Sequence, residues 1–267
     1  IGQSISTLIN RYLAKRVFYD KELKKSLKSS SSSDWVEIIK TLFTTAYKSG
    51  LASLSWIFTN RMLAIFGALF LPITVIADYG ISKQITDITI TLSVVWFTTY
   101  YPKLTGKQVA NEKNEVKRLY IKSQIVALFV FIVISFGTLL FGGVLLDFIK
   151  SSTSLLPVGI MSILFLASLF EALTYLSTSV LLSKNIVPHY KAQMITALFA
   201  LVFLYLSLRW TNLGVLSLIV VPFFSQLLYQ HWKWFSLLAK EMKITPKDYL
   251  NGVKSLFESI NKIRYIE

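Results

Sequence analysis

Cysteine is absent from the 267 residues, and histidine occurs only as His189 and His231. No disulfide and no thiol nucleophile can form, and the Cys and His sets that usually bind zinc have too few members. Charge is scarce as well: Asp, Glu, Lys and Arg make up 16% of the chain against 54% hydrophobic residues, and mean hydropathy is +0.56. This shortage makes a soluble globular fold improbable, and no metal or cofactor is expected. What acid there is falls well behind base, 14 Asp plus Glu against 28 Lys plus Arg, for a net charge of +14. The bases cluster in short connections beside apolar stretches, where they read as topological signals rather than nucleic-acid contacts. The opening residues are not expected to form a cleavable signal peptide. The chain begins at Ile1 rather than Met, and an upstream half is expected.

What is present is a series of six long apolar stretches, two of them almost free of charge, at 125–146 and 210–230. Lipid offers backbone groups no partner, so such stretches must be helices that satisfy their own N–H and C=O groups. The pattern predicts an all-α membrane protein, a six-transmembrane-helix bundle. Its helices are expected over 35–71, where Asp34 and Glu37 resemble a capping box and Pro72 ends the run, and over 73–101, ended by Pro102. The others fall at 116–150, 155–183, 188–208 and 212–238, with a short amphipathic tail helix at 246–263. Residues 1–34, with seven Lys and Arg and the Ser29–Ser33 run, read as a basic cytoplasmic linker, 35–240 as the bundle and 241–267 as a cytoplasmic tail.

Lysine and arginine alternate between the connections. The link after the second stretch carries Lys103, Lys107, Lys113, Lys117 and Arg118; that after the fourth carries Lys184 and Lys191; the tail carries Lys240, Lys243, Lys247 and Lys254 among others. The opposite connections hold only Lys150 and Arg209. By the positive-inside rule the basic connections and both ends face the cytoplasm, as an even number of crossings requires. The expected location is the inner, cytoplasmic membrane.

Ionisable residues inside apolar spans are expensive, near 3 kcal/mol at a helix centre on insertion scales, and so are candidates for function. In the second stretch Lys83, Asp87, Thr91 and Thr98 recur at helical spacing, either lining a hydrated cavity or, for the first two, neutralising each other. In the first, Asn60 and Arg61 stand beside small residues including Ser53, Ala64 and Gly67. The permanent charge and planar fork of Arg61 suit an anionic partner such as phosphate; alternatively the side chain snorkels to the interface. Glu171 stands alone mid-stretch. It is suited either to binding and releasing a proton or sodium ion as solvent access switches sides, or to a protonated hydrogen bond between helices.

Residues 55–106 carry a particular pattern: NR at 60–61, ADYGIS at 77–82 and YYPKLTG at 100–106. It continues with LLP at 155–157, LFEA at 169–172 and SKNIVPHYKA at 183–192. In order and spacing this resembles the Wzx-type polysaccharide repeat-unit (O-antigen) flippases of the MATE/MOP transporter superfamily, over roughly residues 1–240. The resemblance implies the C-terminal half of a twelve-helix transporter that moves undecaprenyl-pyrophosphate-linked oligosaccharide, in lipopolysaccharide or other polysaccharide biosynthesis, by alternating access against an N-terminal six-helix half. Arg61, Asn60, Lys83 and Asp87 are then expected to meet the substrate, and Glu171 or Asp87 to couple a proton or sodium ion. A multidrug or small-cation antiporter of the same superfamily is the second expectation. A membrane-embedded glycosyl or acyl transferase is a third, weakened by short outer connections and by histidines remote from any nucleophile; an enzyme is not expected.

Overall fold

A computed structural model describes residues 32–148 and 150–264. The chain divides into two compact units, Ile1–Tyr47 and Lys48–Glu267. The expected basic linker lies outside the described residues except for 32–34, which are helical. Among the described residues all regular structure is helical: α1 Ser32–Phe70, α2 Ile73–Val109, α3 Lys113–Phe148, α4 Val158–Leu182 and α5 Tyr190–Trp210. A short 3-10 turn, Gly214–Leu216, leads into α6 Ser217–Leu227, followed by α7 Gln230–Glu241 and α8 Pro246–Arg264.

Among the described residues five spans are long and apolar enough to cross a bilayer: Ile39–Phe70, Lys113–Phe148, Val158–Leu182, Tyr190–Trp210 and the broken helix Gly214–Glu241. They are compatible with a multi-pass membrane protein, one span short of the six expected. The exception is α2. Its 37 residues are ample, but Lys83, Asp87 and frequent serines and threonines dilute its apolar character. α3, at 36 residues, measures about 54 Å at 1.5 Å per residue. It must tilt in, or project from, a hydrocarbon core about 30 Å thick.

The hydroxyls of α2 explain how so polar a helix packs. Ser82, Thr86, Thr89 and Ser93 form a fully buried stripe of small side chains that lets α3 and α4 approach closely. Thr86, Thr89 and Ser93 donate to carbonyls one turn back, at 2.8, 2.9 and 2.7 Å, so burial strands no hydroxyl. Ser82 Oγ instead accepts the backbone N–H of Leu156 at 3.0 Å. Nearby, Asp78 Oδ1 accepts that of Ser154 at 2.8 Å. These two bonds seat the α3–α4 connection on the start of α2.

Two apolar cores follow. One joins Phe97, Leu104, Tyr120, Leu176, Val180, Trp234 and Leu238 of α2, α3, α4 and α7; the other joins Leu63, Tyr79, Phe131, Met161, Phe165, Leu204 and Leu218. α4 contributes to both and packs on α2, α3, α6 and α7. Gly67 lies so close to Ile76 and Leu218 that an added Cβ would stand 2.7 and 3.2 Å from their methyls.

Two boundaries differ from those expected. α2 continues through Pro102 to Val109, because one missing N–H is outweighed by the burial of Leu104 beyond it and by the Tyr101 hydroxyl donating to Ser179 O at 3.1 Å. The last apolar stretch is broken at Tyr229, which leaves helical geometry at φ −143° and ψ −49°. The break turns α7 so that Trp234 and Leu238 enter the first core.

The lysine-rich connections gather at one end of the bundle, tied by Lys184–Glu241 at 2.6 Å and Lys117–Asp248 at 2.8 Å. The second pair fastens α8. Asp248 also accepts the Thr245 N–H at 2.7 Å and hydroxyl at 2.8 Å, and Tyr249 donates to Gln124, whose amide donates to Tyr120 at 2.9 Å.

Replacing Ser82 by Ala strands the buried Leu156 N–H. The expected loss is about 1–3 kcal/mol, read as a lower thermal midpoint in detergent, with Thr86→Ala, which strands no backbone group, changing less. The tail reports on pH. Hydrogen bonds from Lys117 and Thr245 hold the Asp248 carboxyl at about 2, below the roughly 3.9 of an unfolded aspartate. Its contribution is therefore complete above about pH 4 and fades as pH falls toward 2. Amide exchange across residues 246–256 should accelerate over that window, and in Asp248→Asn it should be fast already at neutral pH.

Candidate functional site

Between the two cores lies a pocket of about 60 Å³ with walls from α1, α2, α4, α5, α6 and α7. Its polar lining includes Asn60, Lys83, Glu171, Gln193, Gln226 and His231 beside the hydroxyls of Thr59, Ser168 and Thr196, and its aromatic lining Trp56, Tyr79 and Phe223. Glu171 stands near the middle of α4, halfway through an apolar span, and accepts a hydrogen bond from Trp56 Nε1 at 2.9 Å. That bond joins α1 to α4. Asn60, one turn beyond Trp56, donates to the Trp56 carbonyl at 3.0 Å.

Lys83 reaches the pocket from α2 while its ammonium is hydrogen-bonded to Asp87. The pair is lopsided: the Lys83 side chain is 19% exposed and that of Asp87 52%. Lys83 thus looks inward and Asp87 outward. The pair neutralises itself, and of its two members Lys83 alone lines the pocket.

The far wall is a chain of amides and rings. His231 Nδ1 lies 2.9 Å from the hydroxyl of Thr174, one turn along α4 from Glu171, and its ring lies against Phe170 and Phe223 at centroid separations of 5.6 and 5.8 Å. Gln193 accepts from the buried Gln230 at 3.1 Å, and Gln230 in turn accepts from Trp234. The break at Tyr229 makes this possible by bringing Gln230 and His231 around onto α4 and α5.

Of the residues singled out from sequence, Asn60, Lys83 and Glu171 share the pocket, whereas Arg61 and Asp87 do not line it. Arg61 is exposed on α1 and pairs with no carboxylate among the described residues. Asp87 instead belongs to an exposed polar stripe on α2 with Gln84, Thr91 and Thr98. Trp56, His231 and Gln193 were not anticipated as pocket residues. Spacing contained a hint of the first, because Trp56 and Asn60 fall on one helical face. The other two come into place only through the packing of α5 and α7.

A volume of about 60 Å³ has room for a few waters or a small cation. The lining offers one carboxylate, one ammonium, one imidazole and neutral amides. No group of three His, Cys, Asp or Glu side chains able to hold a metal ion occurs among the described residues. Comparison with protein-family models, with curated proteins and with solved structures finds no match for the chain.

Since Glu171 holds the Trp56 indole, ion or proton binding at the carboxylate should alter Trp56 emission. In the intact protein, the difference between wild type and Trp56→Phe during a pH or sodium titration should contain one transition, absent from Glu171→Gln. A transition that survives Glu171→Gln places ion binding elsewhere.

Proposed function

We propose that the chain is one half of an alternating-access transporter that flips a lipid-linked oligosaccharide bearing pyrophosphate, with Glu171 as its cation-coupling group. The observation that carries this reading is a polar pocket at mid-span, lined by Glu171, Lys83 and His231, beside an exposed polar stripe on α2. Ionisable groups at membrane depth face protein or water rather than acyl chains. The stripe of Gln84, Asp87, Thr91 and Thr98, together with Arg61 on α1, therefore belongs against a hydrated passage shared with a second helical bundle. Counted this way α2 also crosses the membrane, which makes six crossings and the half of a twelve-helix MATE/MOP-type carrier.

Two different tasks then fall to two places. The pocket, with its single carboxylate, suits a proton or sodium ion; the outer stripe and Arg61 are where a long, anionic substrate slides past. A fixed guanidinium answers pyrophosphate with paired hydrogen bonds. The resemblance to Wzx-type flippases supports the reading, and its motifs touch one another: ADYGIS supplies Asp78 and Ser82 to the backbone of Ser154 and Leu156, at the LLP turn, while LFEA carries Glu171. The basic end of the bundle is assigned to the cytoplasm by the positive-inside rule, placing the protein in the cytoplasmic membrane. The aromatic and acidic lining formed by Trp56, Tyr79 and Glu171 favours, as a second reading, an antiporter for small organic cations.

Reconstituted intact protein should move a fluorescent lipid-linked oligosaccharide to the opposite leaflet. Arg61→Ala should slow this by about tenfold or more, the equivalent of about 1.4 kcal/mol in barrier, and Glu171→Gln should abolish its dependence on an ion gradient. An unchanged rate in Arg61→Ala removes the anion role. Export of an organic cation with no movement of the glycan decides for the antiporter.

A further inference from the structure

On the outside of the bundle, α5 and α6 leave a second and larger cavity of about 910 Å³, separate in character from the polar pocket. Its walls are apolar: Ile195, Phe199 and Phe203 along α5, Val220 and Phe224 along α6. The Phe199 and Phe203 rings stack at 6.1 Å. The hydroxyls of Thr196 and Ser225 are already used, Thr196 donating to Ala192 O at 2.9 Å and Ser225 to Val221 O at 2.8 Å. Between Ile195, Phe199, Phe203, Val220 and Phe224 the groove therefore suits hydrocarbon, and its polar groups lie with Lys191 and Tyr229.

Its mouth differs. Lys191 lines it. Tyr229, another lining residue, lies 5.5 Å from the Nζ of Lys233, and Lys48 stands 5.8 Å from the ring of Tyr190, next to Lys191. None of Lys48, Lys191 and Lys233 pairs with a carboxylate among the described residues. Trp232 and Trp234 flank Tyr229 at 6.2 and 6.0 Å. Three uncompensated cations and a cluster of Tyr and Trp mark headgroup depth. From Lys191 to Phe203 along α5 is about 18 Å at 1.5 Å per residue, close to the roughly 15 Å of one hydrocarbon leaflet.

We propose that this groove is a binding site for one anionic glycerophospholipid of the leaflet on the lysine-rich side. Its phosphate lies among Lys48, Lys191 and Lys233, and an acyl chain runs down between Phe199, Phe203 and Phe224. The length of the groove selects an ordinary acyl chain over a much longer polyprenyl chain, and the uncompensated cations select an anionic headgroup over a zwitterionic one. The site is independent of the transport reading, because it shares neither Lys83 nor Glu171.

The test uses intact protein in nanodiscs of phosphatidylcholine containing a minor fraction of phosphatidylglycerol with a diazirine near the end of one acyl chain. Labelling should fall on peptides holding Phe199, Phe203 and Val220. It should exceed labelling by the matching phosphatidylcholine probe, and the preference should drop about fivefold on Lys191→Gln, near the effect of one interfacial charge. Ile195→Trp, which fills the groove from an already exposed position, should remove the label while leaving the thermal midpoint unchanged. Equal labelling by both probes, or labelling of the ungrooved α3 face at Phe129 and Phe136 as strong as that of the groove, overturns the proposal. So does label that is displaced by a polyprenyl phosphate and not by excess phosphatidylglycerol, or a groove closed to every lipid probe by another helix of the protein.

Discussion

Hydrocarbon supplies no hydrogen bonds, and the internal arrangement of this bundle follows from that constraint. Most polar groups carried into the apolar spans are answered from within the protein; buried Ser135 Oγ of α3 is an exception among the described residues. Glu171 is answered by the Trp56 indole and Lys83 by Asp87. The hydroxyls of α2 are answered by their own backbone, and the N–H groups of the α3–α4 connection by Ser82 and Asp78. The polar pocket is thus a by-product of satisfying charges that could not be solvated elsewhere, and its small volume keeps those charges close together.

This arrangement divides the molecule by depth. Two apolar cores give rigidity at the ends of the bundle, and α4, common to both, holds Glu171 between them. α1 is joined to the rest more sparsely, through Trp56, Gly67 and the rings of Phe66 and Phe70 against Tyr205 at 6.3 and 5.8 Å. One of the contacts joining α1 to the bundle is therefore made by the carboxylate proposed to bind an ion. A change in the charge of Glu171 acts directly on the Trp56 contact, which gives the proposed coupling a physical route from ion to helix movement.

Much of the helical layout was legible in the sequence. The turn at Pro72, the start of α8 at Pro246 and the cores of α3 and α4 are where apolar runs and breakers placed them, because a membrane span is set by local composition. Pro102 and Tyr229 were not legible. A proline stops a helix only if nothing beyond it is worth burying, and Leu104 is; the Tyr229 break depends on Gln230 finding Gln193 on another helix. α2 reads in sequence as one of the apolar stretches, while its buried face is a stripe of hydroxyls whose acceptability depends on their bonds to carbonyls one turn back.

Sequence alone determined that the chain is helical with spans apolar enough to cross a membrane, which connections carry the lysines, and that Lys83 and Glu171 are costly enough to require explanation. All three follow from one-dimensional quantities, hydropathy and charge. Only the tertiary structure decided that Lys83 and Glu171 share a pocket with Trp56 and His231, that Asp87 and Arg61 look outward, and that α5 and α6 leave an apolar groove. The reason is geometric: which face of a helix meets which neighbour is set by packing among residues far apart in sequence, and in spans so uniformly apolar the amphipathic pattern that would reveal it is nearly absent.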